Sequence, residues 1–457
     1  MATIARPHLP GLALALALAP QLACSGDDTG ASGTATASAS GITGITSISG
    51  ASESDSDSDS VGGGSSGGMK LDLPDDDTDG LPGGADCGSK LPKPGDPDFS
   101  IIWIANTGQG TVSKIDTVNA NELARYRTGP GNPDPSRTSV NLRGDVAVAN
   151  RAGGVTKIAA RLDSCVDSNQ NGIIDTSLGP NDIRPWGEDE CVLWYHPMSF
   201  PQGLDSNQGG PRGIAWDGGQ TSDCFATAKV WVGWRDQPSN NVKIRRIDGI
   251  TGQTDDEVTA PDWQCNWGHG TYGAAADQSG AFWGLGTRAN LVYVHPQTLQ
   301  VERYQGPDVV LYGIALDADG VPWLGGWDGH LWRFDLGAKT FQDMGGGFTS
   351  SRLRGLAIDK EGHAWIAGNS PCALIQYDTK ANTLINGGIA LPGCGEPVGV
   401  SIDRYEQVWV VDREADRAYR VDPDTYQTVT VDGLVDPYTY SDMTGQGLSL
   451  VVNPPVG

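Results

Sequence analysis

Histidine is scarce in this chain of 457 residues: there are six, against 56 Asp and Glu. No His/Asp cluster of the kind a nuclease or phosphatase uses is present. There is no GxSxG nucleophile motif and no CxxC spacing that would announce a metal–thiolate site. No basic stripe exists to neutralise phosphates, so nucleic acid is excluded as a partner. No convincing amphipathic helix follows residue 24, and no later run approaches membrane-spanning length. Charged residues make up only 19% of the chain. What remains is a Gly-rich, Trp-leaning sequence with 64 Gly and 14 Trp, suited to many turns and packed strands.

Those residues fall in a repeat. In YGIALDADGVPWLGGWDGHLWRFDLGAKTFQDM, from Tyr312 to Met344, four short strands are separated by turns, with Asp319-Gly320 read as a type I′ hairpin. Gly313, Asp317 and Trp323 form a frame: Gly, Asp four later, Trp six after that. It recurs at Gly273, Asp277, Trp283, at Gly355, Asp359, Trp365, and at Gly399, Asp403, Trp409. These glycines lie 40, 42 and 44 residues apart, the period of a four-stranded propeller blade. Gly213 and Asp217 open a further copy whose Trp231 is delayed by the insertion GGQTSDCFATA. VAVANR at Val146–Arg151 aligns with VWVVDR at Val408–Arg413, with Ala147 in place of Trp, and IIWIAN at Ile101–Asn106 carries Trp103 but has no inner strand before it. The expected fold is all-β, a seven-bladed β-propeller of four-stranded blades over residues 98–457. Its missing inner strand is expected from the carboxyl end, where TGQGLSLVVN (Thr444–Asn453) alternates apolar residues and closes the ring against the first blade. Each blade's Trp is expected between sheets.

The amino terminus, MATIARPHLPGLALALALAPQLAC, has a basic start, an apolar run and small residues before Cys24. It reads as an export signal over 1–23, and Gln-Leu-Ala-Cys resembles a bacterial lipoprotein box with Cys24 lipidated; ordinary cleavage and secretion is the alternative. Residues 24–97 hold thirteen Asp/Glu against three Lys/Arg, a charge of −10 within the total of −25. That Ser/Gly-rich segment lacks the apolar surface to offset ordering entropy and reads as a disordered spacer. A bacterial cell-envelope location, membrane contact through the lipid anchor alone, and a monomeric chain are expected.

Export permits disulfides. The local pairs are Cys165–Cys191, Cys224–Cys265 and Cys372–Cys394, which leaves Cys87 over. Within the first pair, in an insertion at 160–195, DSNQNGIID places Asp167, Asn169, Asn171 and Asp175 at positions one, three, five and nine, with Gly172 at the sharp turn and the Ile173 carbonyl at seven. Hard oxygen ligands at that spacing point to structural Ca²⁺, although Leu178 stands where an EF-hand has Glu. A loop built on Asx turns, needing no ion, is the alternative.

Propeller ligands sit on the axis, where inner strands begin. The residue before each frame Gly is Arg212, Tyr272, Tyr312 and Arg354, with Val398 the exception. Trp267, His269 and Glu396 flank the approach, and Tyr440 and Asp442 come from the closing segment. Two readings stay open: a pocket for a small molecule, glycan or protein ligand, or side chains that fill the funnel structurally.

With its seven GIAxDxxGxxW-like copies, the chain from about 98 to 457 resembles the virginiamycin B lyase (streptogramin lyase) family, and more loosely the NHL and gluconolactonase-type propellers. The resemblance specifies fold better than reaction. It implies an axial Mg²⁺ and His/Glu residues that open a cyclic ester by elimination, which takes a base near the α-proton and a cation on the developing enolate oxygen. On that implication His269 is the base and Glu396 holds the cation. A second central His is missing, because His330 and His363 fall at strand–turn positions and His196 and His295 precede Pro. A ligand-binding propeller is therefore the first reading and a carbon–oxygen lyase the second.

Overall fold

A computed structural model describes residues 100–198, 209–219, 226–236, 241–263, 269–288 and 290–454. The proposed signal and spacer segments, Cys24, Cys87, Cys224, Cys265 and Trp267 lie outside them. Among the described residues no helix is long and apolar enough to cross a membrane. Six sheets have four antiparallel strands in consecutive order, and the first has three, Ile101–Asn106, Thr111–Asp116 and Asn121–Arg127. The innermost strands of the other six are Pro135–Val140, Ile214–Trp216, Gly273–Ala276, Leu311–Leu316, Arg352–Ile358 and Pro397–Ile402. Seven apolar clusters fill the seven interfaces between successive sheets, including one that joins Ile102 and Ile104 of the first blade to Trp409 and Val411 of the last. This is a closed seven-bladed β-propeller.

The repeated frame has a mechanical basis. In the blade around Tyr312, Asp317 Oδ1 accepts the backbone N–H groups of Asp319 and Val321, and Oδ2 accepts Trp323 Nε1 at 2.8 Å. One carboxylate thus closes the turn and fixes an indole that packs into the next blade. Asp277, Asp359 and Asp403 serve Trp283, Trp365 and Trp409 in the same way. The turn is not type I′: at the Asp319-Gly320 step only Gly320 is left-handed (φ 76°), because the Asp317 carboxylate organises a longer loop. The frame Gly answers crowding at the axis. A Cβ on Gly355 would lie 2.7 Å from the Val398 carbonyl oxygen and 2.8 Å from Tyr440 Cβ.

As expected, the Trp side chains are buried between sheets. Where the second blade has Ala147, Trp216 of the third enters the same interface and fills the space. A second set of aspartates organises the outer turns: Asp116, Asp248, Asp335, Asp378 and Asp422 each accept two backbone N–H groups of the following loop. Part of the chain's acidity is therefore turn chemistry.

The ring closes on the first blade through the carboxyl end, but through a different stretch from the one expected. Residues 435–443 lie beside Ile101–Asn106: Trp103 N donates to Met443 O (2.9 Å), Tyr438 N to Ala105 O (3.1 Å) and Thr107 N to Asp436 O (3.2 Å). Asn106 and Pro437 form the bridge between them. The expected strand Thr444–Asn453 is instead the helix Gln446–Val452. Asp442 accepts the N–H groups of Thr444, Gly445 and Leu448 at its start. Leu448, Leu450 and Val451 then pack into three different inter-blade clusters. Burial at the mouth of the central channel outweighs the strand preference of LSLVV.

Candidate functional site

Four residues repeated at one place in four blades converge. Arg212, Tyr272, Tyr312 and Arg354 all reach the axis, and all are buried. Arg137 joins them. Ser139 pairs with Ala147 as Ser401 pairs with Trp409, which aligns Arg137 with the frame position held by Gly399. Tyr438 and Tyr440 come down from the closing segment. The hydroxyl of Tyr438 lies 2.7 Å from that of Tyr272 and 2.5 Å from that of Tyr312. Arg137 sits over the Tyr440 ring (3.2 Å to centroid) and beside those of Tyr272 and Tyr438 (4.7 and 5.2 Å).

Two arginines of this core have different partners. Arg354 pairs with Glu396 and donates to the Tyr312 hydroxyl (2.9 Å). Burial would lower its pKa, but Tyr312 and Glu396 hold it above the ordinary guanidinium value. Arg137 donates only to the backbone oxygens of Ser136 (2.8 Å) and Tyr272 (3.2 Å), and burial pushes it down to about 10. The rim is balanced in sign. Arg151 pairs with Asp134, and Arg413 lies 2.8 Å from Asp436 and 3.8 Å from the second oxygen of Glu396. Trp327 stacks on Tyr312 (5.5 Å, 21°) and receives Arg354 and Arg352 at 5.0 and 5.4 Å.

His269 is buried, with its ring 4.9 Å from that of Tyr272. Arg212 Nη2 donates to His269 Nε2 (3.2 Å), and since a guanidinium only donates, that nitrogen accepts and its lone pair is engaged. Asp442 lies toward the helix rather than the ligand face; burial raises its pKa while its oxygens cap Gln446–Val452. The described residues at the axis do not fit a divalent cation. Glu396 is committed to two arginines, and no group of three or more His, Cys, Asp or Glu suited to a metal occurs among the described residues. Sequence reasoning missed Arg137, Trp327, Arg413 and Tyr438. Arg137 was reachable by extending the VAVANR alignment nine residues upstream, and Tyr438 by continuing the Tyr440 pattern two residues back.

The 160–195 insertion leaves the second blade between the strands Val155–Ile158 and Val192–His196 and is clamped by a Cys165–Cys191 disulfide. Cys372–Cys394 is the second described disulfide. Asp167 accepts the N–H groups of Asn171 and Gly172, and Asn169 and Asn171 donate side-chain amide hydrogens to Asp175 (2.9 and 2.8 Å). Glu190, which sequence reasoning did not single out, accepts from Ser168, Asn169 and Asp175 and holds the loop from inside. Ile173 is exposed.

Fold and site together define a seven-bladed propeller whose axis is plugged by a Tyr/Arg core. No protein-family model and no curated protein matches the chain. Among solved structures it is similar to virginiamycin B lyase from Staphylococcus aureus, at 14% identity over 69% of this chain and 91% of that one, with a TM-score of 0.49. A streptogramin B lyase gives 14% identity, the same coverages and 0.48. The WD40 domain of Neurospora crassa Pan2 gives 11%, 69% and 83%, and 0.47. At these values the likeness concerns the fold and carries no argument about the site.

Proposed function

We propose that this chain is an exported propeller, tethered through lipidated Cys24 and its acidic spacer, that binds a small molecule, glycan or protein at the axial rim. The observation that supports the reading is the rim itself. Glu396, Arg413 and Trp327 are only partly buried and stand directly on the buried Tyr/Arg core, so polar groups and an aromatic ring are held in place before a ligand arrives. The two disulfides fit an oxidising compartment. The test is a screen of glycans, small molecules and secreted proteins against the whole chain and against Glu396→Ala and Arg413→Ala. A ligand of the wild type weakened about tenfold or more by either change supports the reading; ligands indifferent to both changes contradict it.

The lyase alternative has less behind it here. Its base would be a buried His269 whose Nε2 already accepts from Arg212, and its cation would face guanidiniums. Magnesium-dependent ring opening of a cyclic ester, abolished in His269→Ala, would restore that alternative. We propose that the 167–175 loop binds a structural calcium ion. The ion would displace amide hydrogens from Asp175 and recruit the oxygens of Asp167, Asn169, Asn171 and the Ile173 carbonyl.

A further inference from the structure

The buried core contains a cation, Arg137, that no carboxylate contacts. Arg137 is wholly buried, its hydrogen bonds go to two backbone carbonyls, and its Nη2 has no hydrogen-bond partner. A guanidinium enclosed in that way costs several kcal/mol unless a negative charge stands nearby. What stands nearby is a knot of three phenols. All three hydroxyls touch: the Tyr438 oxygen makes the two short contacts, 2.7 Å to Tyr272 and 2.5 Å to Tyr312, the other two lie 3.2 Å apart, and Tyr312 also receives Arg354 Nη1.

We infer that Tyr438 ionises before any other tyrosine as pH rises, that its phenolate is then the counter-ion of Arg137, and that this pair pins the closing segment 435–443 to the axis. With Tyr438 ionised, the hydroxyl hydrogens of Tyr272 and Tyr312 both turn to its oxygen, across the two shortest contacts of the knot, and form a small oxyanion site. The charged groups around it leave a net positive balance, five arginines against the three acids Asp134, Asp436 and Glu396. Arg137, Arg151 and Arg413 lie 5.2, 5.5 and 5.2 Å from the Tyr438 ring, while Arg212 and Arg354 act on it through space. The acids of the rim, Asp134, Asp436 and Glu396, are each paired with an arginine. Titration directions agree: burial would raise the Tyr438 phenol, but Arg137, Arg212 and Arg354 together bring it below its ordinary value. Burial and the neighbouring phenol charge carry Tyr272 and Tyr312 the other way, as expected of the groups that donate to an anion.

A group with a depressed folded pKa contributes stability that is complete above the unfolded value, about 10 for tyrosine, and is lost as pH falls through the folded value. The pin therefore strengthens as pH rises toward that point. This inference is independent of whether the rim binds a ligand.

The test is a pH titration of the full chain carrying ring-labelled tyrosine, followed by NMR and by tyrosinate absorbance, beside Tyr438→Phe and Arg137→Gln. The expected result is one tyrosine that ionises at a proton concentration about tenfold or more above that of a free phenol. Its signal is missing in Tyr438→Phe and shifts toward the ordinary value in Arg137→Gln. A wild type in which every tyrosine titrates at or above the ordinary value overturns the inference, and so does an early signal that survives Tyr438→Phe. If neither variant folds, the wild-type titration decides alone. The stability gap between wild type and Tyr438→Phe should widen with pH, which loss of ring packing alone would not produce.

Discussion

Asp403 Oδ2 accepts the indole N–H of Trp409 at 2.9 Å while its other oxygen takes the backbone N–H groups of Tyr405 and Gln407. One buried carboxylate, raised in pKa by its burial, joins a turn to an inter-blade Trp, and the same joint recurs around the ring. Replacing it with Ala strands three donors. Asp403→Ala should cost about 2–4 kcal/mol in chemical denaturation, and Asp403→Asn less, because one oxygen is kept. A loss below about 0.5 kcal/mol in the Ala variant would show that the joint contributes little.

The third and second blades trade a large side chain. Trp216 occupies the space beside Ala147, so Trp216→Ala should cost about 3–5 kcal/mol. Ala147→Trp alone should destabilise by overpacking, and the double variant should recover part of the loss. Additive single effects in denaturant would contradict the exchange.

Glu406 takes the left-handed turn position that Gly280, Gly320 and Gly362 hold in other blades, with φ 59°. Burial, only partly offset by Lys360, pushes its carboxyl up to about 7. A carboxyl raised on folding costs stability above its folded pKa and is relieved as pH falls toward the unfolded value, so this group favours folding at pH 5 over pH 8. Glu406→Gly removes both the charge and the strained backbone. It should raise the free energy of unfolding at pH 8 by an amount on the order of 1–2 kcal/mol and flatten the pH dependence. An unchanged pH profile would contradict the assignment.

Calcium should raise the melting temperature at millimolar concentration and chelation should reverse it, with both effects lost in Asp167→Asn and Asp175→Asn. A melting temperature indifferent to calcium would leave the loop as an Asx-turn structure held by Glu190.

The sequence made the ring legible because each blade solves the same problem with the same residues: a Gly where strands crowd, an Asp at the turn, a Trp at the interface. The closure was harder to read. Pro437–Met443 has no apolar alternation, since Tyr438 and Tyr440 point into a polar axis, whereas LSLVV alternates like a strand but is folded as a helix by burial on three blades. The axial residues were visible where they repeat, as at Arg212, Tyr272, Tyr312 and Arg354. Arg137 and Tyr438 break the repeat, one by replacing a Gly and the other by arriving from the far end of the chain, so frame matching passed over them.

Residues 435–443 run along the inner edge of the three-stranded first blade, where the other blades have a fourth strand, and deliver Tyr438 to the arginines. Native-state hydrogen exchange of the amides of Trp103 and Tyr438, which donate to Met443 and Ala105, tests it directly. Both should exchange only through global unfolding, at the rate of the core strands. Exchange at the rate of a free carboxyl-terminal tail, with the neighbouring strands still protected, would show a ring that is not closed in this way.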